Sequence, residues 1–206
     1  MYTPRKCRSF RDWAGMLLAK VERELQVAVN QAKRGFVIRE AWEEDLPEMV
    51  GFLAKLALHV SGAPPHDLKE SEYKRLLRTL HSALDDPNRR LVVAESKSAG
   101  LVGMGYVYIW RSQGIWEQSE AAEFKSGVID DIWVEPDFRG LGILKALLRD
   151  LVTFAEEHHA SELILEYSAS NKEAKAAWTK LGFKPTGVRA AAFTSVVKQA
   201  LAESQG

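Results

Sequence analysis

The sequence predicts an α/β protein in which a mixed, mostly antiparallel central sheet is flanked by helices. Two observations support this prediction. Early in the chain, apolar stretches with strand character outnumber helical patterns, and later the two kinds alternate. An amphipathic pattern ahead of the first strand adds an extra N-terminal helix.

The N-terminal pattern places apolar side chains at three- and four-residue steps from Phe10 to Ala32, and Gly35 is positioned to end the helix. We therefore divide the chain into an N-terminal amphipathic helical extension, residues 1–35, and one domain, residues 36–206. The pattern fits a helix packed on its own domain better than one used for dimerisation or for a partner. A homodimer stays an open alternative.

The domain opens with a strand at 36–41, followed by a helix in which Asp45 can cap and Pro47 can occupy the first turn. A break at 62–65 precedes a second helix, Glu70 to Leu84. The later predicted elements are strands at 90–96, 101–110, 127–134 and 162–167, helices at 141–158 and 172–181, a loop at 111–126, and a tail at 188–202 that fits either strand or helix.

Composition narrows the functional classes. Lysine and arginine total 28, and aspartate and glutamate total 28, so no net field attracts the chain to nucleic acid or to an anionic membrane. The longest apolar run, Leu101 to Trp110, is about half the roughly 20 residues of a membrane span. Cys7 is the only cysteine, so we expect no disulfide, no metal site and a reducing, cytoplasmic compartment.

A glycine-containing segment joins a predicted strand to a predicted helix: Arg139, Gly140, Leu141 and Gly142. The first N–H groups of a helix lack internal partners and carry its positive end, so a loop without side chains there can hold phosphate oxygens. An arginine would add a charge-assisted contact. Such turns also contain glycine for conformational reasons alone, and the segment lacks the third glycine of a dinucleotide loop and the Gly-Lys-Ser/Thr of a Walker loop.

Longer segments carry a family resemblance. "DDIWVEPDFRGLGILKALL" and, further along, "LEYSASNKEAKAAWTKLGFKP" resemble the two signature segments of the Gcn5-related N-acetyltransferase (GNAT) family. "FVIREAWEEDLPEMV" is similar to that family's opening strand and helix, and "LVVAESKSAGLVGMGYVYI" to its second and third strands. The likeness covers roughly residues 36 to 185 and implies the Gcn5-like fold with acetyl-CoA as cosubstrate.

The resemblance implies that the fourth strand diverges from the fifth and that the pantetheine arm of coenzyme A lies in the gap. Backbone contacts to pantetheine are then expected from Ile132, Trp133 and Val134. The residues expected to wrap the pyrophosphate are Arg139, Gly140, Leu141, Gly142 and Ile143. Asn171 matches the family's asparagine after the fifth strand and is expected to join the cofactor site.

Two positions depart from the family pattern. Leu144 replaces a small residue where helix backbone should approach the phosphates, and Trp178 replaces the tyrosine that protonates the departing thiolate. An indole N–H has no accessible proton to give. A thiol with pKa near 8.5 is already a tolerable leaving group as thiolate, so the loss is survivable. Alternative acids are Tyr106, Tyr108 and Tyr167.

The implied chemistry is direct attack of a neutral amine on the thioester, without a covalent enzyme intermediate and with a backbone N–H of the fourth strand holding the oxyanion. The candidate catalytic residues are Asp130 and Asp131, because a base or a water chain must first deprotonate the amine. The pattern is similar to the polyamine-acetylating branch, in which the acid matching Asp130 is the proposed base. Strand alternation predicts that the two side chains point to opposite faces.

Acids near the cleft favour a small cationic amine as acceptor, and a protein amino terminus or lysine also fits. Leu144 and Trp178 support a rival hypothesis of a different class. In it, the chain is a coenzyme-binding or protein-interaction module that keeps the fold and catalyses weakly or not at all.

Overall fold

The structure, a computed structural model, describes residues 35–64, 66–111, 125–187 and 192–203. The predicted N-terminal helix, Cys7 and most of the predicted loop at 111–126 lie outside these residues. The chain divides into two compact units, the first ending at Glu166 and the second beginning at Tyr167. The division at 35/36 that the sequence suggested stays a prediction.

Five strands form one sheet in the order β1-β2-β3-β4-β5. Their bounds are Phe36–Glu40 (β1), Arg89–Ser96 (β2), Gly100–Arg111 (β3), Lys125–Val134 (β4) and Glu162–Leu165 (β5). Neighbouring strands from β1 to β4 are antiparallel, and β5 joins β4 in parallel after a helical crossover. The predicted mixed, mostly antiparallel sheet is confirmed.

The helices are Leu46–Ser61 (α1), Glu70–Leu84 (α2), Ile143–Glu157 (α3), Lys172–Lys180 (α4) and Thr194–Glu203 (α5). Short 3-10 turns span Glu43–Asp45 and Pro136–Phe138. The ambiguous tail therefore contains a helix. Strand β5 ends at Leu165, two residues short of the prediction, and α3 begins at Ile143, two residues later than predicted. No described helix combines the length and apolar character that crossing a membrane requires.

One face of the sheet, which we call the first face, packs against α1 and α2. Alternate residues of β2 and β3 point to it, as strand geometry requires. Its buried side chains include Met49 and Phe52 from α1, Leu80 from α2, and Leu91, Val93, Met104, Tyr106 and Trp133 from the strands. This apolar cluster fixes the helices over the sheet, so residues on the first face of β4 lie at the edge of a rigid core.

The opposite, second face packs against α3, which brings its apolar stripe close to the strands. A Cβ atom added to Gly105 would lie 3.2 Å from the Leu151 side chain, and one added to Gly127 would lie 3.0 Å from the Cβ of Ala155. The glycines thus allow the helix to approach. Close packing of α3 fixes the position of its N-terminus beside the end of β4.

Asp45 has a role different from the predicted helix cap. It precedes α1, yet its side chain makes no capping hydrogen bond to that helix. Its carboxylate instead accepts two hydrogen bonds from the Arg39 guanidinium, at 2.6 and 2.9 Å, and one from the Trp42 backbone N–H at 2.7 Å. The buried carboxylate therefore ties β1 to the start of α1.

The second unit contains α4 and α5. Helix α4 begins after Asn171, whose Oδ1 accepts a hydrogen bond from the Ala174 N–H at 2.9 Å. Trp178 is buried and meets the ring of Phe183 edge-on, with centroids 5.6 Å apart.

Candidate active site

Strand β4 extends beyond the end of its parallel neighbour, β5. Strand β5 pairs only with Ser126 to Ile129, while β4 continues to Val134. From Asp130 onward, the edge of β4 that faces away from β3 has no strand partner among the described residues. Its backbone groups are therefore available to a ligand at the place where the resemblance puts the pantetheine arm, beside Ile132, Trp133 and Val134.

A β-bulge interrupts β4 at the same point. Asp131 lies opposite Tyr106, and Ile129 lies opposite Val107, so Asp130 is an extra residue without a partner on β3. Val128 lies opposite Tyr108 on the first face, and alternation puts Asp130, two residues later, on that face as well. Asp131 lies opposite Tyr106, so its side chain also belongs to the first face. The expectation that the two carboxylates point to opposite faces was wrong, because regular alternation stops at a bulge.

The two aspartates differ in exposure. Asp131 is half-buried, and desolvation, followed by the negative charge of Asp130, raises its pKa to about 6. Asp130 is exposed, and its pKa is also raised, chiefly by desolvation, with a further contribution from Glu166 and an opposing one from Arg89. Ile164 of β5 pairs with Val128, which lies on the first face. Glu166 comes two residues after Ile164, so continued strand alternation puts its side chain on the first face as well. The site is thus an acidic cluster: Asp130, Asp131 and Glu166.

Two tyrosines border the acidic cluster on β3. The Tyr106 hydroxyl is buried and accepts a hydrogen bond from the Arg89 guanidinium at 2.6 Å. Tyr108 lies next to it, with ring centroids 6.2 Å apart. Desolvation raises the pKa of both phenols, so both stay protonated at neutral pH. They can donate hydrogen bonds but are weaker acids than free tyrosine.

The glycine loop has the backbone geometry that its sequence suggested. Gly140 and Gly142 have φ values of 79° and 88°, in the left-handed region that favours glycine. Gly142 is the N-cap of α3, which has neither a side-chain cap nor an acidic residue in its first turn. The first N–H groups of α3 are therefore arranged to receive an anion. Leu141 is exposed at the tip of the loop.

Arg139 lies along the end of β4. Its Nε donates a hydrogen bond to the Val134 carbonyl at 3.2 Å, and its guanidinium stands 5.2 Å from the centre of the Trp133 ring. Trp133 is buried on the first face, and its Nε1 has no hydrogen-bond partner among the described residues. The arginine thus connects the glycine loop to the strand segment predicted to meet the cofactor.

Two further loop residues differ in what they can offer. Ile143 is buried, and its side chain would lie 3.6 Å from a Cβ added to Gly103, so only its backbone is directed to a ligand. Leu144, the departure from the family pattern, is half-buried in the first turn of α3. The backbone donors of this turn do not depend on either side chain.

Asn171 and Trp178 belong to the second unit. The Asn171 side chain caps α4, and its contribution to a cofactor site stays a prediction. Trp178 packs on Phe183 and offers no transferable proton. Within the described ranges, no group of three or more histidine, cysteine or acidic residues is arranged to hold a metal ion.

Sequence reasoning missed Arg89 and Glu166. Arg89 begins β2 directly after the turn-forming "DDPN", a signal that locates a strand end but gives no hint of Tyr106 as a partner. Glu166 directly follows the half-buried apolar run of β5, and an acid in that position was a signal that could have been used. Glu166 lies near Asp130 only because β5 pairs with β4.

Comparison with known proteins decides the family. Residues 53–183 match the model of the Acetyltransferase (GNAT) family. The chain belongs to this family. The resemblance seen in the sequence is confirmed, and so is the acetyltransferase class of enzyme that it implied.

Two curated relatives carry acetyltransferase names. The chain is 30% identical over 121 residues to a Bacillus subtilis protein named as a ribosomal protein bS18-alanine N-acetyltransferase, a match covering 59% of this chain and 71% of the relative. It is 30% identical over 115 residues to streptothricin acetyltransferase of Streptomyces lavendulae, covering 56% and 55% of the two chains. The structure of a Clostridium acetobutylicum protein described as a predicted acetyltransferase, with acetyl-CoA, shares the fold, with TM-score 0.62, 22% identity and coverage of 77% and 96%.

Proposed function

We propose that this GNAT acetyltransferase transfers an acetyl group from acetyl-CoA to a primary amine, with a small cationic molecule as the preferred acceptor. One observation carries the proposal. The bulge in β4 puts two carboxylates on one face of the sheet. These carboxylates adjoin the unpaired edge of β4 and the uncapped N-terminus of α3. The edge that we propose for the cofactor and the proposed proton acceptor are thus next to each other.

The described backbone fits a coenzyme A molecule. The pyrophosphate would lie against the N–H groups that follow Gly140 and Gly142, where backbone without side chains meets the positive end of α3. Arg139 would add a cation beside it. The pantetheine amides would pair with the β4 edge from Ile132 to Val134. Bound acetyl-CoA supplies the activated acetyl group.

The chain's own contribution to the chemistry is proton transfer and charge. A carboxylate whose pKa is about 6 is a stronger base than ordinary aspartate and is still mostly ionised at pH 7, which suits Asp131 to accept a proton from the amine. With acetyl-CoA bound, the neutral amine would attack the thioester carbonyl, and a β4 backbone N–H would hold the oxyanion. As the carbon–sulfur bond breaks, the attacking nitrogen would lose its second proton to the departing thiolate or to water, and Asp131 would return the first proton to solvent.

The acceptor preference follows from charge. The acidic cluster holds three carboxyl groups, and the cation that most directly opposes Asp130 is Arg89. Arg89 is already paired with Asp86 at 2.9 Å. The remaining negative charge favours a cationic amine over a neutral or anionic one. One relative is named for an alanine of a ribosomal protein and the other for streptothricin, so a peptide amine stays the alternative acceptor.

Trp178 supports the second candidate, a coenzyme-binding module with little or no catalysis. Its buried packing against Phe183 leaves no tyrosine at the position where the family has its acid. The two candidates differ in turnover and agree in coenzyme binding. Tight binding of acetyl-CoA with no thiol release from any amine would favour the module.

A calorimetric titration with acetyl-CoA tests the cofactor part of the proposal. We expect saturable binding by the wild-type protein and its loss in the double variant Arg139→Ala, Gly142→Trp, which removes a cation and fills the loop. Thiol release with a panel of amines then tests transfer. Absence of binding at millimolar acetyl-CoA would contradict both candidates.

A further inference from the structure

The backbone of β4 past the bulge directs its polar groups alternately to β3 and to the free edge, as in any extended strand. The Glu135 N–H donates a hydrogen bond to the Val102 carbonyl at 2.9 Å, so Glu135 directs its backbone groups to β3. Alternation then directs the N–H and carbonyl groups of Val134 and Ile132 to the free edge, away from β3. The edge that we propose for the pantetheine arm thus presents a carbonyl at each of these residues.

Arg139 occupies one of these carbonyls. Its Nε donates a hydrogen bond to the Val134 carbonyl at 3.2 Å, and its guanidinium carbon lies 5.2 Å from the centre of the Trp133 ring. The cation therefore lies against β4. An amide N–H of the pantetheine arm would approach the Val134 carbonyl from the same free edge. Arg139 in this position and a bound arm thus compete for one carbonyl.

The Trp133 indole carries a buried polar group, its Nε1–H. Trp133 is 7% exposed, and its Nε1 has no hydrogen-bond partner in the ranges that the structure describes. An unpaired buried N–H is unfavourable, and buried polar groups in proteins are nearly always paired. Two exposed side chains border the ring: the Arg139 guanidinium, and the His59 ring, which meets it edge-on with centroids 5.9 Å apart. Withdrawal of Arg139 would open the indole towards the free edge.

We propose that Arg139 selects for the complete coenzyme, because it blocks the pantetheine site until a pyrophosphate withdraws its guanidinium. In the bound state, an amide N–H of the arm donates to the Val134 carbonyl, and an amide or hydroxyl oxygen of the arm accepts a hydrogen bond from Trp133 Nε1. The pyrophosphate, at the N-terminus of α3, takes the guanidinium in exchange. This inference rests on the proposed function for the location of the coenzyme. It adds a residue that distinguishes thioesters of coenzyme A from thioesters of pantetheine alone.

A matched pair of probes tests the block by equilibrium binding to the full chain. The probes are acetyl-CoA, titrated by calorimetry, and S-acetylpantetheine, which has the same arm without the pyrophosphate and is titrated by nuclear magnetic resonance. Arg139→Ala should weaken binding of acetyl-CoA about 10-fold, because a charge-assisted contact is lost. It should strengthen binding of S-acetylpantetheine about 5-fold, because no hydrogen bond to Val134 has to be broken. Arg78→Ala, at an exposed arginine of α2 that donates to the Lys74 carbonyl of its own helix, should change neither affinity.

A second variant tests the indole contact. Trp133→Phe keeps an aromatic ring and deletes the N–H, so it should weaken binding of both probes about 5-fold. Its affinity for ADP, which has a pyrophosphate and no arm, should equal that of the wild-type protein. Trp42→Phe, at an exposed tryptophan, should leave all three affinities unchanged.

The inference is overturned by an Arg139→Ala variant whose affinity for S-acetylpantetheine is unchanged or lower. It is also overturned if Trp133→Phe binds both probes as wild type does, or loses affinity for ADP as much as for acetyl-CoA. Circular dichroism of each variant shows whether it has folded. Saturable wild-type binding of acetyl-CoA with the wrong response of the variants contradicts this inference alone, and no wild-type binding contradicts the proposed function as well. The expected responses without thiol release from any amine contradict the proposed transfer and leave this inference supported.

Discussion

Asp131 lies opposite Tyr106 across strands β4 and β3, and the residue before it, Asp130, has no partner on β3. This relationship brings two consecutive carboxylates to the same face of the sheet. Burial of Asp131, together with the charge of Asp130, raises its pKa to about 6. A regular strand would have sent the carboxylates to opposite faces and removed this interaction. The bulge therefore concentrates negative charge where β4 leaves β5.

Asp131→Asn should lower kcat/KM for a cationic amine by about 10²–10⁴, the usual value of a general base. In the wild-type protein, activity should rise as pH increases through about 6, because Asp131 must lose its proton to act as base. The variant should lack this rise. Initial rates of thiol release between pH 5 and 8 provide the measurement.

The matched control for this prediction is Asp137→Asn, at an exposed carboxylate in the 3-10 turn after β4. It should keep the wild-type pH profile. If Asp131→Asn retains both its rate and the rise near pH 6, another group removes the amine proton.

The raised pKa of Asp131 should also make the stability of the protein depend on pH. The folded pKa of Asp131 is above its unfolded value near 4, so the folded state holds more protons between pH 4 and 6 and loses stability as pH rises through that window. Asp131→Asn removes this loss. Relative to wild type, the variant should gain up to about 3 kcal/mol in free energy of unfolding between pH 4 and pH 7.5. Urea denaturation at both pH values measures the change, and a pH-independent difference would contradict it.

Asp45→Asn should destabilise the first unit by about 2–4 kcal/mol, because it leaves the Arg39 guanidinium partly buried with a weaker partner. The hydrogen bonds from Arg39 hold the pKa of Asp45 below its usual value. This contribution is therefore complete above pH 4 and is lost as pH falls through the folded pKa. Urea denaturation at pH 7 tests the magnitude. Glu44→Gln, an exposed neighbour in the same turn, should change stability little, and equal effects of the two substitutions would count against the ion pair.

Gly142→Ala should cost about 1–2 kcal/mol in stability, since a Cβ is disfavoured at the left-handed φ of 88°. It should also weaken acetyl-CoA binding in calorimetry, because the loop would shift. Gly51→Ala is the matched control. Gly51 lies within α1, where an added Cβ meets no atom within 4 Å, and the change should stabilise by about 0.5–1 kcal/mol. Similar losses at both positions would exclude a special role for the loop geometry.

The order of strands and helices was predictable because each element carries its own hydrophobic period. In β2 the signal is a continuous apolar run, Leu91 to Ala94, which indicates a strand buried on both faces, and all four residues are buried. The glycine loop was also predictable, since Gly140 and Gly142 follow a strand and precede a helix. These signals are local in the sequence.

The features that were missed depend on partners far away in the sequence. Asp130 is displaced by the way β4 pairs with β3, and nothing within "DDIWV" specifies the register. The function of Asp45 was mistaken because its partner, Arg39, comes from the preceding strand rather than from the helix it was expected to cap. Arg89 likewise meets Tyr106 only because β2 pairs with β3.

Transfer of a labelled acetyl group from acetyl-CoA to an amine tests the proposed activity most directly. The full chain is incubated with acetyl-CoA carrying a heavy-isotope acetyl group and with a cationic primary amine, and the amine is analysed by mass spectrometry. We expect a heavy acetylated amine with the wild-type protein and a yield reduced by at least about 100-fold with Asp131→Asn. An amine that stays unmodified while acetyl-CoA is bound, or equal yields from both proteins, would contradict it.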